Sequence, residues 1–391
     1  MMRTRKEIED LEDKLLAPYA MKSKESAGRF YDEPQHEVRT CYQRDRDRIV
    51  HSEAFRKLEY KTQVFVIFEG DYYRTRLTHT IEVAQIARTI GRNLRLNEDL
   101  IEAIALAHDL GHPPFGHAGE SALDDIMKSA QQPELKGFNH NKRSFEIVTK
   151  FEKRYPDFEG LNLTSEVLVG ILKHSTAYDY AGHEDHLSDE PALEAQVVDV
   201  ADSLAYLTHD IDDGLTSGCI KEDDLLESSL WRNAYSRVDE SLKTADKELR
   251  KYQIVRFLID SQMKDLLNFS SENLKKVDLK SSQEVKKRKG VVIDFSKKMN
   301  EERNHLQDLL NVKLYHHHRV ERMTEKAKRI IKDLFAVYKK KPEQLPYSVY
   351  RRGVKHDEKA QYEIICNYIA SMTDRFALDE HKKLFDPYEK V

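Results

Sequence analysis

Cysteine is scarce in this chain of 391 residues. The three cysteines, Cys41, Cys219 and Cys366, form no CxxC pair, which argues against a disulfide framework and a cysteine-ligated zinc knuckle. No apolar run approaches the roughly 18 residues of a membrane-spanning helix, and no such run follows the basic N-terminus as in a signal peptide. We therefore expect a cytoplasmic protein with no membrane partner.

A large excess of charge of one sign is also missing. The net charge of −5 argues against a surface built throughout for nucleic acid, although a local basic face stays possible. The chain contains no glycine-rich phosphate loop of the Walker or dinucleotide kind. Any phosphates must therefore be bound by side chains and a metal ion.

Glycine and proline are sparse, at 14 and 10 residues, and alternating β-branched runs are few. Long stretches instead place apolar residues three and four positions apart, which predicts an all-α fold. We expect helices over 77–96 and 194–215, with Asn97 as the N-cap of a helix running to His108 and Asp109. The apolar run 63–68 is the exception, and predicts a small hairpin strand or a buried turn.

Residues 108–120 are the densest group of chemically active side chains, with three histidines and two carboxylates. Gly111 and the pair Pro113-Pro114 must end the preceding helix, because proline cannot continue it. This break separates His108 and Asp109, before it, from His117 and Glu120, after it. Imidazole and carboxylate groups suit both metal binding and acid/base work.

A divalent ion needs such ligands to converge from separate helices, with positions left open for water and substrate. Any one of the 17 histidines taken singly would more often be structural. The ordered set is more specific, and it consists of His79, His108, Asp109 and Asp202. The run His316-His317-His318 is rejected as a primary metal site, because adjacent helical residues point to different sides.

This ordered set resembles the ligands of the HD phosphohydrolase superfamily. Longer motifs at 41–65, 76–80, 108–120, 194–215 and 368–377 resemble, in the same order, those of bacterial dGTPase-like deoxynucleotide triphosphohydrolases. The resemblance covers nearly the whole chain. It implies an HD-domain helical core with an additional helical C-terminal subdomain, divided into an N-terminal segment contributing to the active site (1–71), an HD domain (72–215) and a C-terminal helical region (216–391).

The resemblance also implies an activity, the hydrolysis of a dNTP to a deoxynucleoside and triphosphate. The expected metal is Mg²⁺ or Mn²⁺, while mixed His and Asp ligands also admit Fe²⁺, Co²⁺, Ni²⁺ or Zn²⁺. His117 is expected to transfer a proton beside the phosphate, as acid or as base, with Glu120 orienting or charging it.

Six substrate-binding residues are carried over by motif. Gln63 and Asp210 correspond to residues that meet the deoxyribose 3′ hydroxyl. Tyr206 would pack on the sugar where a 2′ hydroxyl would clash. Arg76 and His140 are expected near the phosphates, with Lys173 as a weaker candidate.

Two other functions remain open. One is an HD phosphohydrolase acting on a nucleoside monophosphate or a cyclic dinucleotide, and the other is a non-catalytic nucleotide or nucleic-acid sensor. Relatives commonly form tetramers or hexamers, so a homo-oligomer is expected. The basic stretch 275–289, interpreted as an exposed loop, offers a surface for single-stranded DNA or an effector dNTP. Asp374 and Arg375 could form an ion pair that anchors the last helix.

Overall fold

The computed structural model describes residues 2–63, 74–130, 135, 137–174, 190–239, 246–350 and 357–390. All regular secondary structure within these ranges is helical, which confirms the predicted all-α fold. The prediction of a strand or turn over 63–68 concerns residues that, apart from the buried Gln63, lie outside the described ranges.

The described helices are numbered here in chain order. They are α1 Arg5–Leu15, α2 Cys41–Val50, α3 Glu53–Lys57, α4 Arg76–Asn93, α5 Glu98–Ala107, α6 Gly116–Ser129, α7 His140–Glu146, α8 Ser165–Leu172, α9 Leu193–Thr216, α10 Glu222–Leu225, α11 Ser229–Ser236, α12 Lys247–Val277, α13 Ser282–Lys287, α14 Lys297–Leu310, α15 His318–Lys340, α16 Tyr347–Tyr350, α17 Glu358–Ala370 and α18 Asp374–Phe385. Single π-helical turns extend α7 and α14, over Ile147–Phe151 and Asn311–Tyr315.

Helix α5 lies at the centre of the larger hydrophobic core. All its apolar residues, among them Leu100, Ile101 and Ile104, are buried, and the acidic residues Glu98, Asp99 and Glu102 form its one polar side. It packs against α2, α4, α8 and α9. This packing brings together the start of α4, the end of α5 and the middle of α9, where His79, His108 and Asp202 lie.

A second hydrophobic core joins α6 to the C-terminal helices. Leu123 of α6, Ile331 of α15 and Ile365 of α17 are all buried in it. Helix α6 carries His117 and Glu120, so these two side chains are held by a different core from the expected metal ligands. The domain boundaries at 71 and 215 stay a prediction.

The helices predicted around the site are confirmed with small shifts at their ends. The helix predicted over 77–96 runs from Arg76 to Asn93, and the one over 194–215 from Leu193 to Thr216. Asn97 is the predicted N-cap, since its Oδ1 accepts hydrogen bonds from the amides of Asp99 and Leu100 at 3.1 and 3.3 Å.

Residues 275–289, interpreted as an exposed loop, are mostly exposed, but most of the stretch is helical and not a loop. Helix α12 continues to Val277, and α13 follows from Ser282. Val285 is buried in the larger core, and Lys286 Nζ lies 2.9 Å from a carboxylate oxygen of Glu166. The buried side chain of Val285, between Lys280 and Lys286, packs this segment against the larger core. None of the described helices has the length and apolar character needed to cross a membrane.

Candidate active site

A close approach of two backbones shapes the turn after α5. His108 caps the helix, and its carbonyl accepts the hydroxyl of Ser144, which in turn accepts the Gly111 amide, both at 2.8 Å. A Cβ atom at Gly111 would lie 2.1 Å from the carbonyl oxygen of His140. Glycine is therefore required there, and the contact holds the His108-Asp109 turn against the start of α7.

The four predicted metal ligands converge in the protein interior. His79 Nε2 lies 2.9 Å from Asp202 Oδ1 and 4.0 Å from Asp109 Oδ2. His108 Nε2 lies 3.5 Å from Asp109 Oδ1 and 3.8 Å from Asp202 Oδ1. All four side chains are buried. Residues from α4, from the end of α5 and from α9 thus present a mixed nitrogen and oxygen donor set of the kind a divalent ion needs.

The hydrogen bonds of His108 show that this set suits a metal. Its Nδ1 lies 2.6 Å from the Ala105 carbonyl and must donate to it, which leaves a lone pair on Nε2. That Nε2 atom is buried and has no hydrogen-bond partner among the described residues. A buried acceptor without a donor is costly, and a cation satisfies it.

His79 is oriented by a residue that the sequence analysis missed. Its Nδ1 lies 3.0 Å from Nδ1 of His209, whose Nε2 lies 2.6 Å from a carboxylate oxygen of Glu82. Burial lowers the pKa of His209 to about 4, so this ring is neutral. It therefore donates to Glu82 and accepts from His79, whose Nε2 lone pair then faces Asp202. Two acceptors 2.9 Å apart require a cation or proton between them.

The carboxylates of the donor set are held in their charged form. Burial opposes the charge of Asp109, but the Arg76 guanidinium and the nearby His108 and His112 keep its pKa well below the usual range. Burial likewise opposes the charge of Asp202, but a hydrogen bond from His174 and the adjacent His79 and His108 rings hold its pKa well below the usual value.

Two further histidines border the same donor set. His174 follows α8, with its Nε2 3.4 Å from Asp202 Oδ2 and its Nδ1 2.5 Å from Asp199. His112 has its Nε2 3.1 Å from Asp109 Oδ1 and stacks on His140 at 3.8 Å between ring centroids. His174 stands in no helical spacing with the predicted ligands, whereas His112, three residues after Asp109, lies beyond the end of α5 in the turn.

Glu120 contacts His140 more closely than His117. Its carboxylate lies 2.9 Å from His140 Nδ1 and accepts the His140 amide at 2.9 Å, whereas His117 Nδ1 is 3.6 Å away. Burial opposes its charge, but the neighbouring histidines hold the pKa of Glu120 well below its usual value. The His117 side chain is 42% exposed, so it is accessible to a substrate from outside.

Four of the predicted substrate residues line one small cavity together with His79, Asp109 and Asp202. Arg76 is 1% exposed, and its Nη1 lies 2.9 Å from Asp109, while Nε and Nη2 have no hydrogen-bond partner among the described residues. Gln63 Oε1 is likewise buried without one. Tyr206 lies edge-on to the His79 and His117 rings, and His140 completes the wall. The cavity volume of about 20 Å³ suits one water molecule or ion.

Asp210 and Lys173 lie away from the cavity wall. Asp210 is fully buried and accepts a hydrogen bond from the Tyr315 hydroxyl; burial raises the pKa of its carboxyl well above the usual value. Lys173 is half-buried at the end of α8, and the next residue, His174, lines the cavity.

Asp374 and Arg375, for which an ion pair was left open, have different partners. Arg375 faces Asp379 on the exposed side of α18. Asp374 is buried and accepts hydrogen bonds from Thr62 and from the amide of Phe115. The buried carboxylate thereby satisfies two backbone amides that are themselves buried.

Comparisons with known proteins agree with this geometry. Residues 76–207 match the HD domain and residues 293–383 match the phosphohydrolase-associated domain. Together with the His and Asp donor set, these matches indicate a metal-dependent phosphohydrolase. A solved structure, of a hypothetical protein from Aquifex aeolicus, aligns at 18% identity over 78% of this chain and 79% of that one, with a TM-score of 0.29, too low to support an assignment.

Full-length relatives are much more similar. A deoxyguanosinetriphosphate triphosphohydrolase-like protein from Geobacter sulfurreducens is 47% identical over 98% of both chains. Proteins of the same description from Geobacter metallireducens and Ralstonia pickettii are 48% identical over 96% of both chains, and 45% identical over 95% of this chain and 94% of the relative. The chain therefore belongs to the family of deoxyguanosinetriphosphate triphosphohydrolase-like proteins.

Proposed function

We propose that this protein hydrolyses a deoxynucleoside triphosphate to the deoxynucleoside and inorganic triphosphate. One observation carries the proposal: His79, Asp109 and Asp202 line a cavity together with Arg76, and His108 lies within metal-binding reach of these ligands. The relatives described as deoxyguanosinetriphosphate triphosphohydrolase-like proteins support the substrate class.

The metal would be held by His79, His108, Asp109 and Asp202, with Mg²⁺ or Mn²⁺ as the expected ions. When bound, it supplies charge to polarise the α-phosphate and to lower the pKa of water. His174 and His112 border this set and are further candidates to contact the ion or its waters.

Arg76 is placed to bind phosphate. One of its nitrogens pairs with Asp109, which fixes the plane of the guanidinium, and two others stay available in a buried site. A guanidinium held in this way can present paired donors to phosphate oxygens. His140, fixed by two hydrogen bonds to Glu120, lines the same cavity.

His117 is proposed to carry the proton that the reaction needs. Hydrolysis forms a bond between the water oxygen and the α-phosphorus and breaks the bond from that phosphorus to the 5′ oxygen, which must gain a proton. His117 is half-exposed beside the cavity, with Glu120 3.6 Å away to orient it or stabilise its charge. Tyr206, edge-on to His117, is proposed to pack on the deoxyribose, and Gln63 to meet the 3′ hydroxyl.

The test is to incubate the protein with each of the four dNTPs, alone and in pairs, with Mg²⁺ or Mn²⁺, and to identify the phosphate product. Intact triphosphate is the expected product. Orthophosphate or pyrophosphate would instead support another HD phosphohydrolase, and no turnover under any condition would support a sensor.

His117→Ala should lower turnover about 100-fold or more. His305→Ala, at an exposed histidine of α14, is the matched control.

We also propose that an effector dNTP, which would activate the enzyme, binds in a second cavity. This cavity has a volume of about 620 Å³, within the range of nucleotide-sized pockets, and its lining includes Arg56, Lys61, Arg143 and Lys153. Activation seen only with pairs of dNTPs, and weakened by Lys153→Glu, would support it. A tetramer or hexamer, a cytoplasmic location and weak single-stranded DNA binding also stay predictions.

A further inference from the structure

The residue immediately before α6 has an unfavourable backbone conformation. Phe115 has φ of 66° and ψ of 22°, the left-handed region, which is rare for a bulky residue that is not glycine. Such a conformation persists only when surrounding groups determine it. Phe115 is two residues before His117 and five before Glu120, so its dihedral angles set the direction in which α6 presents both side chains.

The C-terminal helix supplies the group that holds Phe115. Oδ1 of Asp374, the first residue of α18, accepts the Phe115 amide at 2.9 Å. Oδ2 of the same carboxylate accepts the Thr62 amide at 2.9 Å and also the Thr62 hydroxyl. Asp374 is 2% exposed, so these bonds are made away from water, where each counts for more.

The same carboxylate fixes the other wall of the site. Thr62 adjoins Gln63, and an isolated β-bridge links it to Thr75, the residue before Arg76. A Cβ atom at Gly116 would lie 3.2 Å from Arg76 Nη2 and 3.4 Å from the Gln63 carbonyl, which shows how closely the two walls approach. One side chain therefore ties the segment carrying Gln63 and the start of α6 into one arrangement.

Helix α18 has other attachments that would hold it without Asp374. Ala377 is buried in the second core, Tyr338 donates a hydrogen bond to Glu380 at 2.7 Å, and His381 lies 2.9 Å from Asp333. The bonds of Asp374 are thus not needed to dock the helix. Their partners lie instead at the two walls of the active site.

We propose that Asp374 is a positioning residue for catalysis, which holds Phe115 in its left-handed conformation and so places His117 and Glu120 against the wall formed by Gln63 and Arg76. This inference rests on the proposed function, because it assigns Asp374 to the same reaction. It gives the C-terminal region a direct part in the active site, although no residue of that region lines the described cavity.

The test compares Asp374→Asn with Asp379→Asn, an exposed carboxylate on the same helix. Asparagine keeps one acceptor oxygen but turns an NH₂ group toward either Phe115 or Thr62. For the dNTP the wild type prefers, at saturating metal, Asp374→Asn should lower kcat by about 10- to 100-fold with less change in KM, because the acid/base group is displaced. Asp379→Asn should keep the wild-type kcat.

Amide hydrogen exchange provides a readout that does not depend on activity. Exchange in peptides covering 111–123 should rise in Asp374→Asn, while peptides covering 327–340 in the second core stay protected. A folded Asp374→Asn variant with wild-type kcat and wild-type exchange over 111–123 overturns the inference. If that variant does not fold, Thr62→Val, which removes only the hydroxyl donor, should show a smaller change in the same direction, and no change in it also overturns the inference. If the wild type cleaves no dNTP, the proposed function is wrong, but hydrogen exchange still tests whether Asp374 holds Phe115 in its conformation.

Discussion

The imidazole rings of His79 and His209 meet Nδ1 to Nδ1 at 3.0 Å, in the interior of the protein. Because neutral His209 carries its single N–H on Nε2 and donates it to Glu82, its Nδ1 must accept from His79, and this fixes the tautomer of His79. The Nε2 atom of His79 then carries the lone pair that faces Asp202 and the expected ion. A residue outside the donor set thus decides which nitrogen can bind metal.

Changing His209 should therefore weaken metal binding without removing a ligand. His209→Phe keeps the ring volume but cannot accept from His79, so the affinity for Mn²⁺ should fall about 10- to 100-fold, the usual effect of losing such a partner. Isothermal titration with Mn²⁺ measures it. Wild-type affinity in a folded His209→Phe variant would contradict the assigned tautomer.

Stabilisation by metal should depend on Asp109. A ligand that binds only the folded state at 100 times its Kd adds about 2.7 kcal/mol to the free energy of unfolding, so Mn²⁺ should raise the Tm of the wild type. Asp109→Asn should lose most of that rise. It should also lower the Tm without metal, because the buried Arg76 loses its charged partner. Asp125→Asn, on the outside of α6, serves as the control for removing a carboxylate. A full Mn²⁺-dependent rise in Asp109→Asn would exclude this carboxylate as a ligand.

The role proposed for Arg76 requires a guanidinium and not merely a positive charge. Lysine could pair with Asp109 but would have no second and third nitrogen for phosphate. Arg76→Lys should therefore lower kcat/KM about 10- to 100-fold while keeping the fold. Steady-state kinetics on the preferred dNTP give the value. Arg88→Lys on the same helix, where the side chain faces Glu98 and Glu102 near the surface, should leave kcat/KM unchanged.

Glu194 should make stability fall as pH rises toward neutrality. Burial raises the pKa of this carboxyl to about 7, against the hydrogen bonds from the Met21 and Asn97 amides. Because the folded-state pKa lies above the unfolded value, the folded state binds more protons from about pH 4.5 to 7, and the free energy of unfolding decreases over that window. Glu194→Gln should remove this decrease and add roughly 1–3 kcal/mol at pH 8 relative to the wild type.

Urea denaturation of both proteins at pH 5 and pH 8 measures the difference. The comparison between variants matters, because Asp213, with a pKa raised to about 6 by burial, titrates in the same window. An equal pH dependence in wild type and Glu194→Gln would rule out Glu194 as its source.

The sequence was informative where a property depends on a short stretch of chain. Asn97 was predicted as an N-cap because its side chain and the amides it accepts are neighbours, and the structure shows both bonds. The helix limits near Arg76 and Leu193 follow from local apolar periodicity in the same way. The basic stretch near Lys286 was misread, because the burial of Val285 depends on a distant surface of the protein.

Contacts between distant segments were beyond the reach of the sequence. His209 lies 130 positions from His79, and no spacing rule relates them. The bond from the Thr62 amide to Asp374 joins residues 312 positions apart. His174 was passed over for its neighbour Lys173 because only the direction in which α8 ends decides which of the two faces the cavity.

The amino-acid sequence by itself determined the helical fold, the break at Gly111 to Pro114 and the residue types able to bind a divalent ion, because backbone sterics, helical periodicity and ligand chemistry act locally. Tertiary structure alone decided which nitrogen of each histidine carries a lone pair and which carboxylates stay charged, since hydrogen-bond partners and burial come from other helices. It also decided that a C-terminal carboxylate reaches the start of α6.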